Sequence, residues 1–206
     1  MYQEVLYEQI SANRRIRLHR QIGEREEAGY GERAGEIAAE LAVHFERGRD
    51  YERAVRYLQQ AGENAVRKHA YQEAVNHLTK GLELLQTLPD TPERVQQELT
   101  LQIALGSPLM ATKGHAAPEV QKTYARAREL CQQVGETSQL FPILWGLWEF
   151  YVVGAEYKTA HELAEQCFTL AQSRQDPFSW WRPTMRWVLP YSSLGSSLQP
   201  EDTLRK

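Results

Sequence analysis

Apolar residues along the chain fall on one side of successive helical turns. Ala34, Ile37, Ala38, Leu41, Ala42 and Phe45 recur at the spacing of a single helix face, and Tyr51, Ala54, Val55, Leu58, Ala61 and Ala65 form a second stripe. Tyr71, Ala74, Val75, Leu78, Leu82 and Leu85 form a third. Further on come Val120, Tyr124, Ala127, Leu130, Cys131 and Val134, then Tyr157, Ala160, Leu163, Ala164, Cys167, Leu170 and Ala171. Between these two, Phe141, Leu144, Trp145, Trp148 and Val152 stand at offsets 0, 3, 4, 7 and 11 and predict another buried face. The stretch from 141 to 155 is the most apolar of the chain, yet it is too short to span a membrane and carries Pro142 and Glu149. No segment alternates apolar and polar residues in the manner of a strand, so the pattern predicts an all-α protein.

Breaks between the stripes carry helix punctuation. Gly48, Arg49 and Asp50 predict a turn, with Asp50 placed to accept from the free amides of the next helix as its N-cap. Thr91, Pro92 and Glu93 read as cap, first helical residue and dipole-matched acid. Gly114 and Pro118 bracket another start, and Gly135 marks an end. Val95, Leu99 and Ile103 align while Leu101 and Leu105 lie off their row, which predicts a segment buried on two sides. Connections are expected near residues 87 to 94 and 107 to 117.

Parts of the sequence repeat. Tyr51-Glu52-Arg53-Ala54-Val55-Arg56-Tyr57-Leu58 recurs as Tyr71-Gln72-Glu73-Ala74-Val75-Asn76-His77-Leu78, and a shorter Tyr-x-x-Ala-x-x-Leu pattern appears at Tyr124, Ala127 and Leu130 and again at Tyr157, Ala160 and Leu163. A small alanine lets a neighbouring helix come close, while tyrosine and leucine fill the space around the contact. This arrangement resembles tetratricopeptide repeats, which implies an α-solenoid of antiparallel helical hairpins. Ala38, Leu41, Ala42, Phe45, Ala54, Leu58 and Ala61 fit the size pattern of that family, as do Leu144, Leu147, Tyr151, Ala160, Ala164 and Cys167. Trp148 departs from it, standing where the family has a small residue, and the 20-residue step from Tyr51 to Tyr71 breaks strict periodicity.

A longer resemblance covers roughly residues 4 to 176. Leu6-Tyr7-Glu8, Arg14-Arg15, Leu18-His19, Glu26, the run from Ala39 to Phe45 and the run from Arg53 to Leu58 together resemble the helical arm of bacterial signal-transducing (STAND-type) ATPases. In that family a P-loop ATPase and a winged-helix region precede tetratricopeptide-like repeats, often joined to a nucleotide cyclase, kinase or DNA-binding output domain. The resemblance implies that residues 1–28 are a remnant of the winged-helix or linker region and 29–175 the repeat domain, with 176–206 an irregular tail. Met1 falls within what reads as helix, and after Asp176 four of the nine prolines and three of the five tryptophans cluster in a stretch without helical stripes. The chain is therefore expected to be a fragment of a longer regulator, with a disordered or out-of-frame tail.

Composition narrows the function. In 206 residues, 24 Lys and Arg against 27 Asp and Glu give a formal charge of −3, so no global basic field is available to hold nucleic acid or an anionic membrane. Two cysteines, Cys131 and Cys167, make no disulfide framework, and the start lacks a basic segment followed by an apolar run, which together predict a cytoplasmic protein. No phosphate loop, nucleophile elbow or dinucleotide turn occurs, so no catalytic or cofactor-binding residue is assigned. His161-Glu162 begins like a zinc-protease helix, but Glu165 occupies the position of the second histidine, and no metal site is assigned. His44 and His77 are read as satisfied polar residues at helix contacts, and Cys131 and Cys167 as packing.

Arg14, Arg15, Arg17 and Arg20 form the basic concentration of the chain, but Glu24 and Glu27 continue the face of Arg14, Arg17 and Arg20, which predicts a solvated helix with an Arg20–Glu24 pair. DNA binding through that helix would need a complete winged helix, for which the first 33 residues hold too little. Asn64, Arg67, Lys68, Asn76 and Lys80 are candidates for a concave binding groove, with plain solubility as their alternative role. The expected function is a non-catalytic scaffold for a protein or peptide partner, or for the ATPase domain of a parent regulator, without a small-molecule substrate. The competing expectation is an arm attached to ATP hydrolysis or cyclic-nucleotide synthesis.

Overall fold

A computed structural model describes residues 10–135 and 138–173. Among the described residues every regular element is a helix. α1 spans Ala12–Tyr30, a 3-10 helix Gly31–Ile37, α2 Ala38–Arg47, α3 Tyr51–Arg67, α4 Tyr71–Leu85, α5 Pro92–Lys113, α6 Pro118–Val134, α7 Leu140–Val153 and α8 Tyr157–Ser173. The chain divides into two compact units, Met1–Pro108 and Leu109–Lys206, with the division falling inside α5.

In the first unit, neighbouring helices run antiparallel. Gly23 of α1 faces Phe45 of α2 while Arg20 lies at Gly48, and Phe45 stacks on Tyr57 of α3 while Gly35, just before α2, accepts from Asn64. α3 and α4 pass with Gly62 against Leu78 and Leu58 against Gly81, and Gly81 also meets Leu101 of α5. The core is built from Leu41, Phe45, Val55, Leu78, Leu85, Leu99 and Leu101, all fully buried. Sealing a leucine or phenylalanine in this way contributes about 1.5 to 3 kcal/mol. In the second unit, Tyr124 of α6 lies over Gly146 of α7, and Gln121 bonds the Tyr151 hydroxyl at 3.0 Å, so these two helices are antiparallel as well. Val120, Leu130, Ile143, Leu144, Ala164 and Cys167 form its core.

Three of the helix-to-helix turns share one geometry. Arg49, His69 and Ala155 adopt left-handed φ values of 56°, 59° and 59°. The amides of Asp50, Ala70 and Glu156 then donate back to the carbonyls of Phe45, Ala65 and Tyr151, each at 2.9 Å, and the left-handed residues donate to Glu46, Val66 and Val152. This pair of bonds is the Schellman arrangement, which satisfies the last carbonyls of one helix while starting the next. The next helix opens on Tyr51, Tyr71 or Tyr157, and its fourth residue is the buried Ala54, Ala74 or Ala160. The expected caps are also present: Asp50 accepts from the Arg53 amide at 3.3 Å and Thr91 from the Arg94 amide at 3.2 Å. Pro118 opens α6, and Gly135 ends it in a left-handed conformation.

Several sequence expectations need correction. The stripe from Ala34 to Phe45 is not one α-helix, because the 3-10 helix carries Ala34 and Ile37 before α2 begins. The connection expected at 107 to 117 is shorter, since α5 continues through Pro108 to Lys113; Pro108 forfeits one backbone bond but is itself buried beside Leu109 and Met110. Leu101 and Leu105 are buried together with Val95 and Leu99, as a two-sided segment requires. Val134 and Tyr157, placed on apolar stripes, are 39% and 57% exposed. The buried side of α7 is Ile143, Leu144, Gly146 and Leu147, leaving Phe141, Trp145, Trp148 and Val152 half-buried, because the side-chain-free Gly146 is what admits the Tyr124 ring. Tyr124 and Tyr157 are likewise not equivalent: one lies inside α6 and the other opens α8. The 176–206 segment lies outside the described residues.

A non-glycine residue held in the left-handed region costs about 1 to 2 kcal/mol relative to glycine. Ala155→Gly and His69→Gly are therefore expected to raise stability by roughly 0.5 to 1 kcal/mol each, after the greater freedom of glycine in the unfolded chain is subtracted. Chemical denaturation checks this; a loss of stability in both variants would show that the turns are not held as described.

Candidate functional site

α1 contributes few apolar groups to the first unit. Its buried residues are His19 and Gly23, and it is held chiefly by charge. Glu27 accepts from Arg53 at 3.1 Å, Arg56 at 2.8 Å and the Tyr57 hydroxyl at 2.6 Å. Arg53 also reaches Glu24 at 3.4 Å and Asp50 at 3.1 Å, and Arg20 pairs with both Glu24 and Asp50. The Arg53 guanidinium lies 4.8 Å from the centre of the Phe45 ring and that of Arg56 5.1 Å from Tyr57, so the charges rest on the aromatic pair beneath them. Burial, followed by the hydrogen bond to Glu27, holds the Tyr57 hydroxyl above its ordinary range. Every acid in this network is matched by a cation, and together they clamp α1 to α3. The face of Glu24 and Glu27, expected to be solvated, is thus corrected to an interhelical contact; the Arg20–Glu24 pair at 3.5 Å is present within it.

Beside the clamp, the Nδ1 atoms of His19 on α1 and His44 on α2 lie 3.1 Å apart. One ring must donate and the other accept, so the contact requires at least one neutral acceptor nitrogen and is opposed when both rings are cationic. Burial, then the charges of His44 and Arg47, holds the His19 pKa below its ordinary 6.5. Glu26 lies 3.9 Å from the far nitrogen of His44, and its buried Oε2 has no hydrogen-bond partner. His44 is thus at a helix contact, as read from the sequence, whereas His77 is half-buried and pairs within α4 to Glu73 at 3.4 Å.

The five groove candidates separate. Asn64, Arg67 and Lys68 line one open pocket with Glu32, Arg33 and Gln60. Asn64 is fixed there by its bond to the Gly35 carbonyl at 2.6 Å and by Arg67. Asn76 instead accepts from Gln72, and Lys80 reaches back to Glu46 of α2 at 2.9 Å. In the second unit, burial raises the Cys167 thiol to about 12, and burial with the nearby Glu149 charge raises Tyr124 to about 12. A thiol so raised stays protonated at neutral pH and packs rather than attacks. His161 pairs with Glu165 at 3.4 Å. Among the described residues no three His, Cys, Asp or Glu side chains gather as metal ligands, and no helix is long and apolar enough to cross a membrane.

The clamp and the histidine pair join residues 25 to 30 positions apart. A helical period reports which residues share a face, not which distant face they meet, so neither was readable in the sequence beyond the bare presence of Glu24, Glu27 and Arg53.

No protein-family model matches the chain. It is 27% identical over 179 residues to an uncharacterized protein of Rhizobium meliloti (strain 1021). That similarity covers 86% of this chain, and the chain spans about 17% of the length of that relative.

Because the folded His19 pKa is lowered, the unfolded chain binds the proton first as pH falls. The stability linked to His19 is complete above about pH 6.5 and declines as pH drops toward the lower folded value. Denaturation midpoints should fall as the pH drops below about 6.5, and by a smaller amount in His19→Phe. An equal slope in both proteins would contradict this placement.

Proposed function

We propose that the chain is a non-catalytic scaffold of tetratricopeptide-like helical hairpins that binds a segment of another protein. The observation that carries this reading is the thrice-used turn, in which a left-handed residue closes one helix and an aromatic residue followed by a buried alanine opens the next. Repeated hairpins of one geometry stack by burying small residues under large ones and leave extended side-chain surfaces for a partner. The open pocket at Asn64, Arg67 and Lys68 is one such surface. The matched, neutralised acids of the α1–α3 clamp and the raised Cys167 thiol also favour a binding role over catalysis.

In this reading the chain is the arm of a larger cytoplasmic signal-transducing regulator of the STAND-ATPase kind, and its partner is a protein segment or the ATPase domain of that regulator. The small share of the Rhizobium meliloti protein that the chain spans supports a part in a longer polypeptide. Nucleotide chemistry, if the regulator performs any, belongs to other domains.

Two measurements on the full chain test the proposal. Thermal unfolding is expected to be unchanged by millimolar Mg-ATP, and an array of synthetic peptides is expected to show saturable binding to a subset. A rise of several degrees with nucleotide, or an array without any bound peptide, would contradict it.

A further inference from the structure

Three helices of the first unit meet around a second, larger groove. Ile16 of α1, Val43 of α2 and Leu84 of α4 lie in it, and Arg15, Arg47 and Arg49 line it as well. The space is about 770 Å³, enough for several side chains. Val43 lies off the buried row of Leu41, Ala42 and Phe45 and is 43% exposed. A lone exposed valine has no special meaning, but one grouped with two further aliphatic residues and three guanidinium groups makes a surface of definite chemistry.

The charge is local. The chain as a whole is acidic, with a formal charge of −3, while this groove gathers three arginines. Elsewhere in the unit Arg20, Arg53 and Arg56 are each held by a carboxylate. The side chains of Arg47 and Arg49 have no such partner among the described residues. The acid that lines the groove, Glu46, is engaged by Lys80 at 2.9 Å. His19 also lines it and is held toward its neutral form by burial and by the charges of His44 and Arg47. The groove is therefore a concave surface of aliphatic groups and two cations, Arg47 and Arg49, without a carboxylate partner among the described residues.

We propose that this groove docks a short segment of a partner protein in which acidic and aliphatic side chains alternate. Carboxylates of the segment pair with Arg47 and Arg49, whose planar guanidinium groups suit bidentate carboxylate contacts, while its aliphatic side chains cover the exposed Val43 and the half-buried Ile16 above the buried Leu84. A nucleic-acid strand would use the cations but leave the aliphatic residues uncovered, and Tyr51 is one tyrosine where base stacking along a strand needs a succession of aromatic faces. A membrane calls for apolar groups that protrude, not ones recessed between three helices. This inference rests on the scaffold reading and assigns it a docking place apart from the Asn64 pocket.

The test is fluorescence anisotropy on the full chain with a labelled synthetic peptide of alternating glutamate and leucine. Polyglutamate, a lysine–leucine peptide and oligothymidylate serve as competitors. Expected is saturable binding that weakens with salt, falls about tenfold or more in Arg47→Gln/Arg49→Gly and falls several-fold in Val43→Ser. Arg49 sits at a left-handed φ of 56°, so glycine there removes the charge while relieving the backbone, and thermal unfolding of the double variant will separate lost binding from lost fold. Polyglutamate or oligothymidylate competing as strongly as the unlabelled peptide, an undiminished affinity in the double variant, or an absence of binding would each overturn the inference. Array peptides whose binding survives Arg47→Gln/Arg49→Gly but is lost in Arg67→Glu would overturn it while leaving the scaffold reading intact.

Discussion

Two helices pass most closely where one of them gives up its side chain, and that device recurs between α1 and α2, α3 and α4, and α6 and α7. A Cβ on Gly62 would lie 2.6 Å from Leu78 Cγ, and one on Gly23 would lie 3.2 Å from the Phe45 ring. At Gly146 the Tyr124 ring occupies the place a methyl group would need. Ala54, Ala74 and Ala160, buried at the same step of three helices, repeat the device with one carbon more. Large groups such as Phe45, Leu78 and Tyr124 then fill the space opened beside them, which is how short helices with modest apolar content reach interior packing density.

The first unit uses two kinds of contact. α3 and α4 meet through Leu58, Gly62, Leu78 and Gly81, an apolar seam with no charged group among these four residues. α1 is attached by Glu24, Glu27, Arg53, Arg56 and Tyr57 and by the His19–His44 contact. Partly exposed pairs of this kind contribute about 0 to 1 kcal/mol each and are screened by ions. α1 is consequently the element of this unit whose attachment depends most on solution conditions, and it also supplies one wall of the arginine-rimmed groove.

Much of the fold was legible because a helix with one apolar face announces it. The rows around Leu41, Leu58 and Leu78 predicted buried residues that are buried, and Asp50 and Thr91 predicted caps that are formed. α7 misled for the opposite reason: with apolar residues all round, its period carries little information about which side faces inward, and a glycine rather than a tryptophan row decided it. The Tyr-x-x-Ala-x-x-Leu pattern marked residues that are buried at Tyr124, Ala127 and Leu130, but three residues specify a packing contact without specifying where a helix begins, and Tyr124 lies inside α6. The turns at His69 and Ala155 lack the glycine that usually marks a left-handed residue. The groove of Arg15, Arg47 and Arg49 was hidden because its parts come from separate stretches of the chain; the sequence grouped Arg15 with Arg14, Arg17 and Arg20 on α1 and gave no sign that it meets Arg47 and Arg49.

The close approach at Gly62 is the most direct place to test this physical picture. In a double-mutant cycle of Gly62→Ala and Leu78→Ala, followed by denaturant unfolding, the helix-propensity gain from alanine cancels and the contact between the two positions remains. Expected is a coupling of about 1 kcal/mol or more, with the added methyl group damaging the protein when Leu78 is present and better tolerated when it is gone. Additivity to within about 0.3 kcal/mol would contradict the claim that α3 and α4 are held by the absence of a side chain at this position.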